Sequence, residues 1–285
     1  MRVATALPFQ RPRITRGDME KIAGLVYENS GIALKPEIKE AMVVARLQKR
    51  LRSGGFETFS DYLHHVETDR SGEELRVLID ALTTNHTGFF REPQHFHHLA
   101  EVIVPQLVAK AGTRPILGWS AACATGEEPY SIIITLLERL PQGQYDRIRL
   151  LASDLATHAI DAARCGVYPI DRVAEVPQPL LRRYFERGLG KQDGLARVKR
   201  EIRELIDFRQ LNLIDIDSLG QTFDYIFCRN VMFYFDRAVR QRVVSMLESH
   251  LAPGGYLFVS HSESLSEVKH DLRRCVPGVY QRGDS

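Results

Sequence analysis

Residues 115–130 read PILGWSAACATGEEPY, and this segment has the most informative pattern for the fold class. Residues 115–121 form a short apolar run that is typical of a buried strand. Small residues then make a turn, and a helical pattern follows over residues 130–140. A buried strand that turns directly into a helix is the repeating unit of α/β folds. The stretch therefore predicts one strand–helix unit of a mainly parallel sheet.

The same alternation of strands and helices continues toward the C-terminus. Further strands are predicted at 148–153, 206–213, 223–228 and 256–260. Helices are predicted from the end of the second strand through Ala163 and over 237–251, with a turn at 253–255. Between about 168 and 205 the alternation lapses, and glycines among charged residues indicate a small antiparallel insertion. The pattern predicts a sheet that is covered by helices on both faces.

The segment before residue 85 has helical patterns only, and it predicts a four-helix N-terminal unit. Capping boxes are expected at Thr15 with Asp18 and at Ser71 with Glu74. Pro36 is expected to open the second helix, because a missing N–H costs nothing at that position. The apolar stripe expected on the second helix consists of Ile38, Met42, Leu47 and Leu51. A third short helix is expected over residues 59–66.

Composition limits the classes of function that are compatible with this chain. Its 285 residues favour two folded units. The net charge of +2 is far below that of most dedicated nucleic-acid binders. The four cysteines are widely separated and form no metal-type pair, so we expect reduced thiols. No run of 18 apolar residues occurs, and we expect a cytoplasmic protein without membrane insertion.

Ligands of open α/β sheets bind beyond the carboxyl ends of the strands. The turn after Ala121 and the end of the next strand at Asp154 are the two candidate edges. Gly126 can adopt unusual dihedral angles, and Asp154 could accept hydrogen bonds from ribose hydroxyls. The turn lacks GxGxxG, which disfavours a dinucleotide but suits another adenosine-containing cofactor. On these residues alone, a generic strand–turn–helix with a surface aspartate is equally compatible.

Two further segments are unusually rich in polar or aromatic residues. Residues 82–92, LTTNHTGFFRE, carry five consecutive polar side chains and end near Arg91. A helix end with Asn85 as its cap is the alternative interpretation. Residues 223–236, FDYIFCRNVMFYFD, place Arg229 directly after a buried strand, at the predicted cleft. Here the alternative is that Tyr234 and its neighbour only pack the following helix.

Six segments together carry a family resemblance: LTTNHTGFFRE, WSAACATGEEPYS, LLASDL, LNLID, FCRNVMFYFD and SHSESLS. In this order and at these intervals, over about residues 18–280, the chain resembles the CheR-type chemotaxis receptor methyltransferases. The resemblance implies an α/β fold, namely that of the class I S-adenosylmethionine-dependent methyltransferases. This domain would span residues 94–285 and contain a Rossmann-like, mainly parallel seven-stranded sheet. It also implies an inserted antiparallel β-subdomain at about 168–205, an all-helical N-terminal domain at 11–84, and a linker at 85–93 that contributes to the cofactor site.

The resemblance further implies a protein-glutamate O-methyltransferase that esterifies glutamate side chains of bacterial chemoreceptors. S-adenosylmethionine would be the donor and S-adenosylhomocysteine the product, with no metal. Arg91 and Tyr234 are the residues expected to act in catalysis. The residues implied to contact the cofactor are Asn85, Thr87, Arg91, Glu128 (or its neighbour Glu127), Asp154, Asn212, Leu213, Asn230 and Val231. His86 and Cys123 depart from the family pattern, but neither stands at a position of an implied contact.

The resemblance also implies partners. Basic residues on the second helix could dock on receptor methylation helices, although a charged helix face is normally just solvated. These residues are Lys39, Arg46, Lys49, Arg50 and Arg52. A receptor tail peptide could bind the β-subdomain near Gly188–Gly194. We expect a monomer that is recruited to receptor arrays and binds no nucleic acid. The alternatives are a class I methyltransferase with another substrate and a non-catalytic cofactor-binding signalling module.

Overall fold

The computed structural model describes residues 13–34, 40–111, 114–141 and 143–284. The chain divides into two compact units, Met1–Thr83 and Thr84–Ser285. Three of the sequence predictions for the second helix fall on Pro36, Ile38 and Lys39, which lie outside the described residues. The start of that helix and part of its apolar stripe therefore stay predictions.

The first unit is built from helices whose apolar faces pack together. They are α1 (Arg16–Ser30), α2 (Glu40–Gly54), α3 (Phe59–Thr68) and α4 (Glu73–Leu82). On α2, Val43, Leu47 and Leu51 are fully buried. Their spacing of four residues places them on one face of the helix. The prediction that Met42 belongs to this stripe is wrong in part, because Met42 is only half-buried and Val43 faces the core.

The two predicted capping boxes have different outcomes. The one that opens α1 is confirmed. The one predicted from Ser71 and Glu74 is wrong, because α4 begins later, at Glu73. Asp69 instead accepts the backbone N–H of Glu74 at 2.9 Å. The Glu74 carboxylate is used elsewhere, since Arg50 donates to its Oε1 at 2.7 Å.

The second unit alternates helices and strands along the chain. Its first elements are α5 (Pro93–His98), α6 (Val104–Ala111), β1 (Ile116–Ala121), α7 (Glu127–Arg139), β2 (Ile148–Asp154) and α8 (Thr157–Cys165). The inserted segment then contributes β3 (Val167–Pro169), α9 (Gln178–Tyr184), β4 (Phe185–Arg187) and β5 (Leu195–Val198). The last elements are α10 (Arg200–Arg203), β6 (Ile206–Gln210), β7 (Phe223–Phe227), α11 (Arg237–Ser249), β8 (Leu251–Phe258), β9 (Arg273–Val276) and β10 (Val279–Gln281).

Seven strands form one sheet in the order β6-β2-β1-β7-β8-β10-β9. The five strands from β6 to β8 run parallel, and β10 pairs antiparallel with both β8 and β9. The predicted seven-stranded, mainly parallel sheet is therefore confirmed. Because β1 lies between β2 and β7, the strand order reverses at β1. The carboxyl ends of these three strands meet at the edge where open α/β sheets generally bind ligands.

The turn predicted at 253–255 is a break within β8 rather than a separate turn. Phe223 pairs with Leu251 and Tyr225 pairs with Tyr256, so the ladder is interrupted between them. Gly254 has a φ of 72°, which lets the extra residues leave the ladder and return to it. The chain thus keeps β8 paired with β7 on both sides of the glycines.

The inserted segment forms its own sheet, which confirms the predicted antiparallel insertion. Its three strands lie in the order β3-β5-β4, and both pairings are antiparallel. Two strands of the large sheet, β9 and β10, were not predicted from the sequence. None of the helices in the described parts of the chain has the length and apolar character that a membrane span requires.

Candidate active site

The candidate site lies where three neighbouring strands end. Ala121 closes β1, Asp154 closes β2 and Phe227 closes β7. In the sheet, β1 pairs in parallel with both other strands. The loops that follow them therefore leave the sheet at one edge, next to one another, at the reversal of strand order.

The turn after β1 has a strained and firmly held backbone. Ala122 and Ala124 have φ angles of 67° and 48°, in a region that residues with a Cβ rarely adopt. The backbone N–H of Cys123 donates to the Ser153 carbonyl at 2.9 Å. At Gly126, φ is 98°, and a Cβ there would lie 2.8 Å from the Ala163 Cβ. Strain of this kind persists only where the surroundings hold it.

Asp154 joins the turn after β1 to the loop after β2. Its Oδ2 accepts the Ala124 N–H at 2.8 Å, and its Oδ1 accepts the Ala156 N–H at 2.9 Å. The residue is 8% exposed. Asp154 thus holds the local backbone, and the ribose contact expected of it stays a prediction.

A buried arginine, Arg229, follows β7 and links it to the start of α7 and to the linker. Its Nη1 donates to Glu128 Oε2 at 3.1 Å, and its Nη2 donates to Glu92 Oε2 at 2.9 Å. The same Nη2 donates to the Arg91 carbonyl at 2.5 Å. The Arg229 side chain is 1% exposed, and its guanidinium lies 5.7 Å from the centre of the Phe96 ring. The end of β7, the start of α7 and the linker are therefore held by one cation.

The charges around Arg229 depend on one another. Burial raises the pKa of Glu128, and the positive charge of Arg229 acts against this rise. Burial also acts to raise the pKa of Glu92, but the Ser260 hydroxyl and Arg229 together lower it. Removing one partner of a buried ion pair typically costs about 3–5 kcal/mol, because the other charge is left uncompensated. The site thus depends on Arg229 for its stability.

A second buried carboxylate, Glu263, fixes the loop after β7. It accepts the backbone N–H groups of Asn230 at 2.9 Å, Met232 at 2.8 Å and Ser260 at 2.9 Å. Asn230 has a φ of 59°, so this loop is strained as well. Glu263 was not predicted as a site residue. The signal that could have pointed to it is a carboxylate among small polar residues directly after a buried strand.

The linker residues expected to bind cofactor lie against the loops and helices of the site. The Asn85 Nδ2 is 3.1 Å from the His158 Nε2 on α8. The Arg91 Nη1 donates to the His86 carbonyl at 3.0 Å, which holds the guanidinium along the linker. The alternative of Asn85 as a helix cap is excluded, because α4 is capped at Thr83.

The remaining predicted residues follow β6 and β7. Leu213 is buried, and the Asn212 Nδ2 donates to Asp215 at 2.5 Å. They lie near Asp154, whose carbonyl accepts the N–H of the residue before Asn212 at 3.0 Å. Tyr234 is half-buried, with its ring centre 4.3 Å from that of Phe233. Within the described part of the chain, no hydrogen bond links Tyr234 to Arg91.

The two adjacent acidic residues at the start of α7 have different partners. Glu127 is fully buried and pairs with Arg172. Glu128 accepts from the Ser120 hydroxyl at 2.7 Å and pairs with Arg229, and its side chain is 12% exposed. Only Glu128 thus combines contact with the central arginine and some access to the cleft.

Glu92, His95 and His261 bring possible metal-ligating atoms within 4.8 Å of one another. The Glu92 Oε2 already pairs with Arg229, and its Oε1 accepts from the Ser260 hydroxyl at 2.6 Å. A metal ion here would lie beside the guanidinium charge, which would repel it. The cluster is explained without a metal ion: Glu92 forms an ion pair with Arg229, and the imidazole rings of His95 and His261 stack with their centres 4.4 Å apart.

The fold and this edge define a class I methyltransferase domain preceded by a helical domain. The family model for the CheR methyltransferase SAM-binding domain matches residues 85–279, and the model for the CheR all-alpha domain matches residues 17–83. Chemotaxis protein methyltransferase 2 of Pseudomonas aeruginosa is 43% identical over 268 residues, which cover 93% of each chain. The chemotaxis protein methyltransferase of Escherichia coli is 38% identical and covers 91% of this chain, with 88% of its own length matched. The chain belongs to the CheR methyltransferase family.

The buried His95 gives the site a measurable dependence on pH. Burial lowers its pKa to about 4, and Arg229 adds to this effect. The unfolded chain therefore binds a proton at His95 between about pH 6.5 and pH 4 that the native state does not bind. Stability should fall as the pH falls through this window, by about 3 kcal/mol at pH 4. His95→Gln should lack this loss.

Urea unfolding followed by the fluorescence of Trp119, the single tryptophan, measures this difference. The matched control is His97→Gln, which alters an exposed histidine on the same helix. The control should keep the wild-type loss of stability between pH 7 and pH 4. Equal losses in wild type and His95→Gln would contradict the assignment of a neutral, buried imidazole.

Proposed function

We propose that this chain transfers methyl groups from S-adenosylmethionine to glutamate side chains of bacterial chemoreceptors, as a protein-glutamate O-methyltransferase. The observation that carries the proposal is that the linker and the start of α7 both contact Arg229, which directly follows β7. It occurs in a chain whose relatives are named chemotaxis protein methyltransferases.

The residues at the strand ends fit an adenosine-containing sulfonium compound. Asp154 closes β2 beside the turn that follows β1, and the small residues of this turn allow close approach of the backbone to a ligand. A metal ion would need an unpaired anionic ligand, whereas the carboxylates of Glu92 and Glu128 are paired with Arg229. The residues proposed to hold the cofactor are Asn85, Thr87, Arg91, Glu128, Asp154, Asn212, Leu213, Asn230 and Val231.

S-adenosylmethionine, when bound, supplies a methyl group on a positively charged sulfur. The acceptor is a carboxylate that is already ionised at neutral pH, since its ordinary pKa is about 4.3. The chain therefore has no proton to remove from the acceptor. Its residues act by orienting the two reactants and by excluding water, and orientation alone can contribute about 7–11 kcal/mol.

Arg91 and Tyr234 are the proposed catalytic residues. The planar guanidinium of Arg91 matches a carboxylate, which would be that of the incoming glutamate or of the cofactor. Its bond to the His86 carbonyl holds it at the linker. Tyr234 follows β7 and is half-buried, and its hydroxyl is proposed to orient the reacting groups.

Substituting these residues should separate activity from folding. Arg91→Ala should lower kcat/KM for methyl transfer about 100-fold, because the carboxylate loses its orientation. Tyr234→Phe should lower it about 10-fold or more for the same reason. The assay transfers tritiated methyl groups from S-adenosylmethionine to receptor-containing membranes and counts the base-labile methyl esters.

The matched control for Arg91→Ala is Arg274→Ala, which removes an exposed arginine on β9. The control should transfer methyl groups at the wild-type rate. Wild-type transfer by Arg91→Ala would remove Arg91 from the mechanism. Absence of base-labile esters with the wild-type chain would refute the proposed function itself.

The proposed docking on receptor methylation helices depends on fewer residues of α2 than the sequence indicated. Arg46 donates to the carbonyls of Leu82 and Thr83 at 2.7 and 3.0 Å, and it therefore stabilises the first unit. Arg50 is used in the pair with Glu74. Lys49 and Arg52 are exposed, and they carry the proposal by electrostatic attraction to acidic helices.

Reversing these two charges should weaken docking. Lys49→Glu combined with Arg52→Glu should raise KM for the receptor several-fold and reduce its dependence on salt, because surface attraction is screened by ions. Arg274→Glu reverses a charge on β9 and should leave both quantities unchanged. Methylation kinetics between 50 and 300 mM salt test this, and identical salt profiles for all three proteins would exclude the docking surface.

The antiparallel insertion is proposed to bind a receptor tail peptide by strand addition. Among the residues that the structure describes, β4 pairs only with β5, so its other edge is available for a further strand. The loop from Gly188 to Gly194 joins β4 to β5, and Leu189 in this loop is 82% exposed. An exposed apolar side chain beside a strand edge suits a peptide with an apolar residue.

Calorimetric titration with a synthetic receptor tail peptide tests this binding. We expect heat of binding and slowed amide exchange in β4 and in the 188–194 loop. A peptide of the same composition in scrambled order should give neither. Absence of both signals with the native order would refute the tethering. We further propose that the protein acts as a cytoplasmic monomer at receptor arrays.

A further inference from the structure

The inserted segment contacts the turn after β1 through two side chains. The Tyr168 hydroxyl on β3 donates to the Thr125 carbonyl at 2.7 Å. Arg172, in the short helical turn Ile170–Val173, pairs with Glu127 at the start of α7. Both contacts fall on the part of the chain that follows β1, and both come from outside the large sheet.

Tyr168 is placed against the turn by tight packing. It is 4% exposed, and its ring meets that of Phe89 edge to face at 5.0 Å between centres. A Cβ added at Gly126 would lie 2.9 Å from the Tyr168 hydroxyl. The hydroxyl therefore lies directly on the turn, and the aromatic contact fixes its position.

Glu127 needs the charge that Arg172 supplies. The Glu127 side chain is fully buried, whereas that of Arg172 is 40% exposed. The Glu127 carboxylate also accepts a hydrogen bond from the Thr125 hydroxyl at 2.7 Å. A buried carboxylate without a cation is strongly destabilising, so the turn and the arginine are energetically linked.

The turn between these contacts is the strained one. Ala122 and Ala124 have positive φ angles, and Asp154 holds the turn from the side of β2. Tyr168 and Arg172 hold it from the side of the insertion. A strained segment keeps its shape only while such supports persist.

We propose that Tyr168 and Arg172 are positioning residues for the cofactor turn, so that the inserted subdomain sets the affinity for S-adenosylmethionine. This inference rests on the proposed function. It gives the insertion a role in the cofactor site in addition to peptide binding. A ligand that shifts β3 or the turn after it will change cofactor affinity, and the cofactor will change the affinity for that ligand by the same factor.

Calorimetric titration of S-adenosylhomocysteine into the full chain tests the proposal. Tyr168→Phe keeps the ring and removes one hydrogen bond, so binding should weaken about 3- to 10-fold. Arg172→Ala should weaken binding about 10-fold or more, and Arg172→Lys should recover part of the loss. Arg182→Ala, which removes an exposed arginine on α9 of the same insertion, should bind as the wild type does.

Kinetics separate a positioning role from a merely structural one. KM for S-adenosylmethionine should rise with the dissociation constant, while kcat at saturating cofactor changes less than about 2-fold. Glu127→Gln removes the buried charge, so adding Arg172→Ala to it should cost less than Arg172→Ala costs alone. A lower unfolding temperature with an unchanged KM would overturn the proposal.

The outcomes also distinguish this inference from the proposed function. Wild-type affinity in both Tyr168→Phe and Arg172→Ala would overturn the positioning role and leave the cofactor site intact. Failure of the wild-type chain to bind S-adenosylhomocysteine would overturn both. If Arg172→Ala does not fold, Tyr168→Phe and Arg172→Lys still decide the question.

Discussion

The site depends on one ionic cluster, the buried guanidinium of Arg229 between the carboxylates of Glu92 and Glu128. These side chains come from the end of β7, the linker and the start of α7, so a single cation fixes three segments that are distant in sequence. Losing it would cost about 3–5 kcal/mol. That is a large part of the 5–15 kcal/mol by which domains are usually stable. The positive charge of Arg229 explains why the carboxylates of Glu92 and Glu128 can lie beside the buried end of β7.

The strain in the backbone follows the same segments. In the described part of the chain, the residues other than glycine with positive φ are Phe90, Glu92, Ala122, Ala124 and Asn230. All of them lie in the linker, the turn after β1 or the loop after β7. Each of these segments is held by a buried charged group, namely Arg229, Asp154 or Glu263. The fold thus stores strain where a ligand would bind, and buried polar contacts prevent its relaxation.

Sequence reasoning recovered the features that periodicity encodes. The sequence predicts β1, β2 and β7 because each contains a short apolar run, which is typical of a buried strand. The C-terminal strand β9 was missed, since RRCV is a short, charged edge strand without an apolar run. The Arg229 cluster was missed for another reason. Its partner Glu92 lies 137 residues away, and no local pattern reports such a pairing. Val43, and not the predicted Met42, lies in the core of the first unit. The sequence of a helix alone does not determine which of two adjacent apolar residues faces the packing partner.

The segments that contact Arg229 should form a single cofactor site. Hydrogen exchange of the full chain, measured with and without S-adenosylhomocysteine, tests this. Bound S-adenosylhomocysteine should slow amide exchange together in residues 84–92, 122–128 and 229–232. Unchanged exchange in these three segments, or protection confined to another part of the chain, would contradict it.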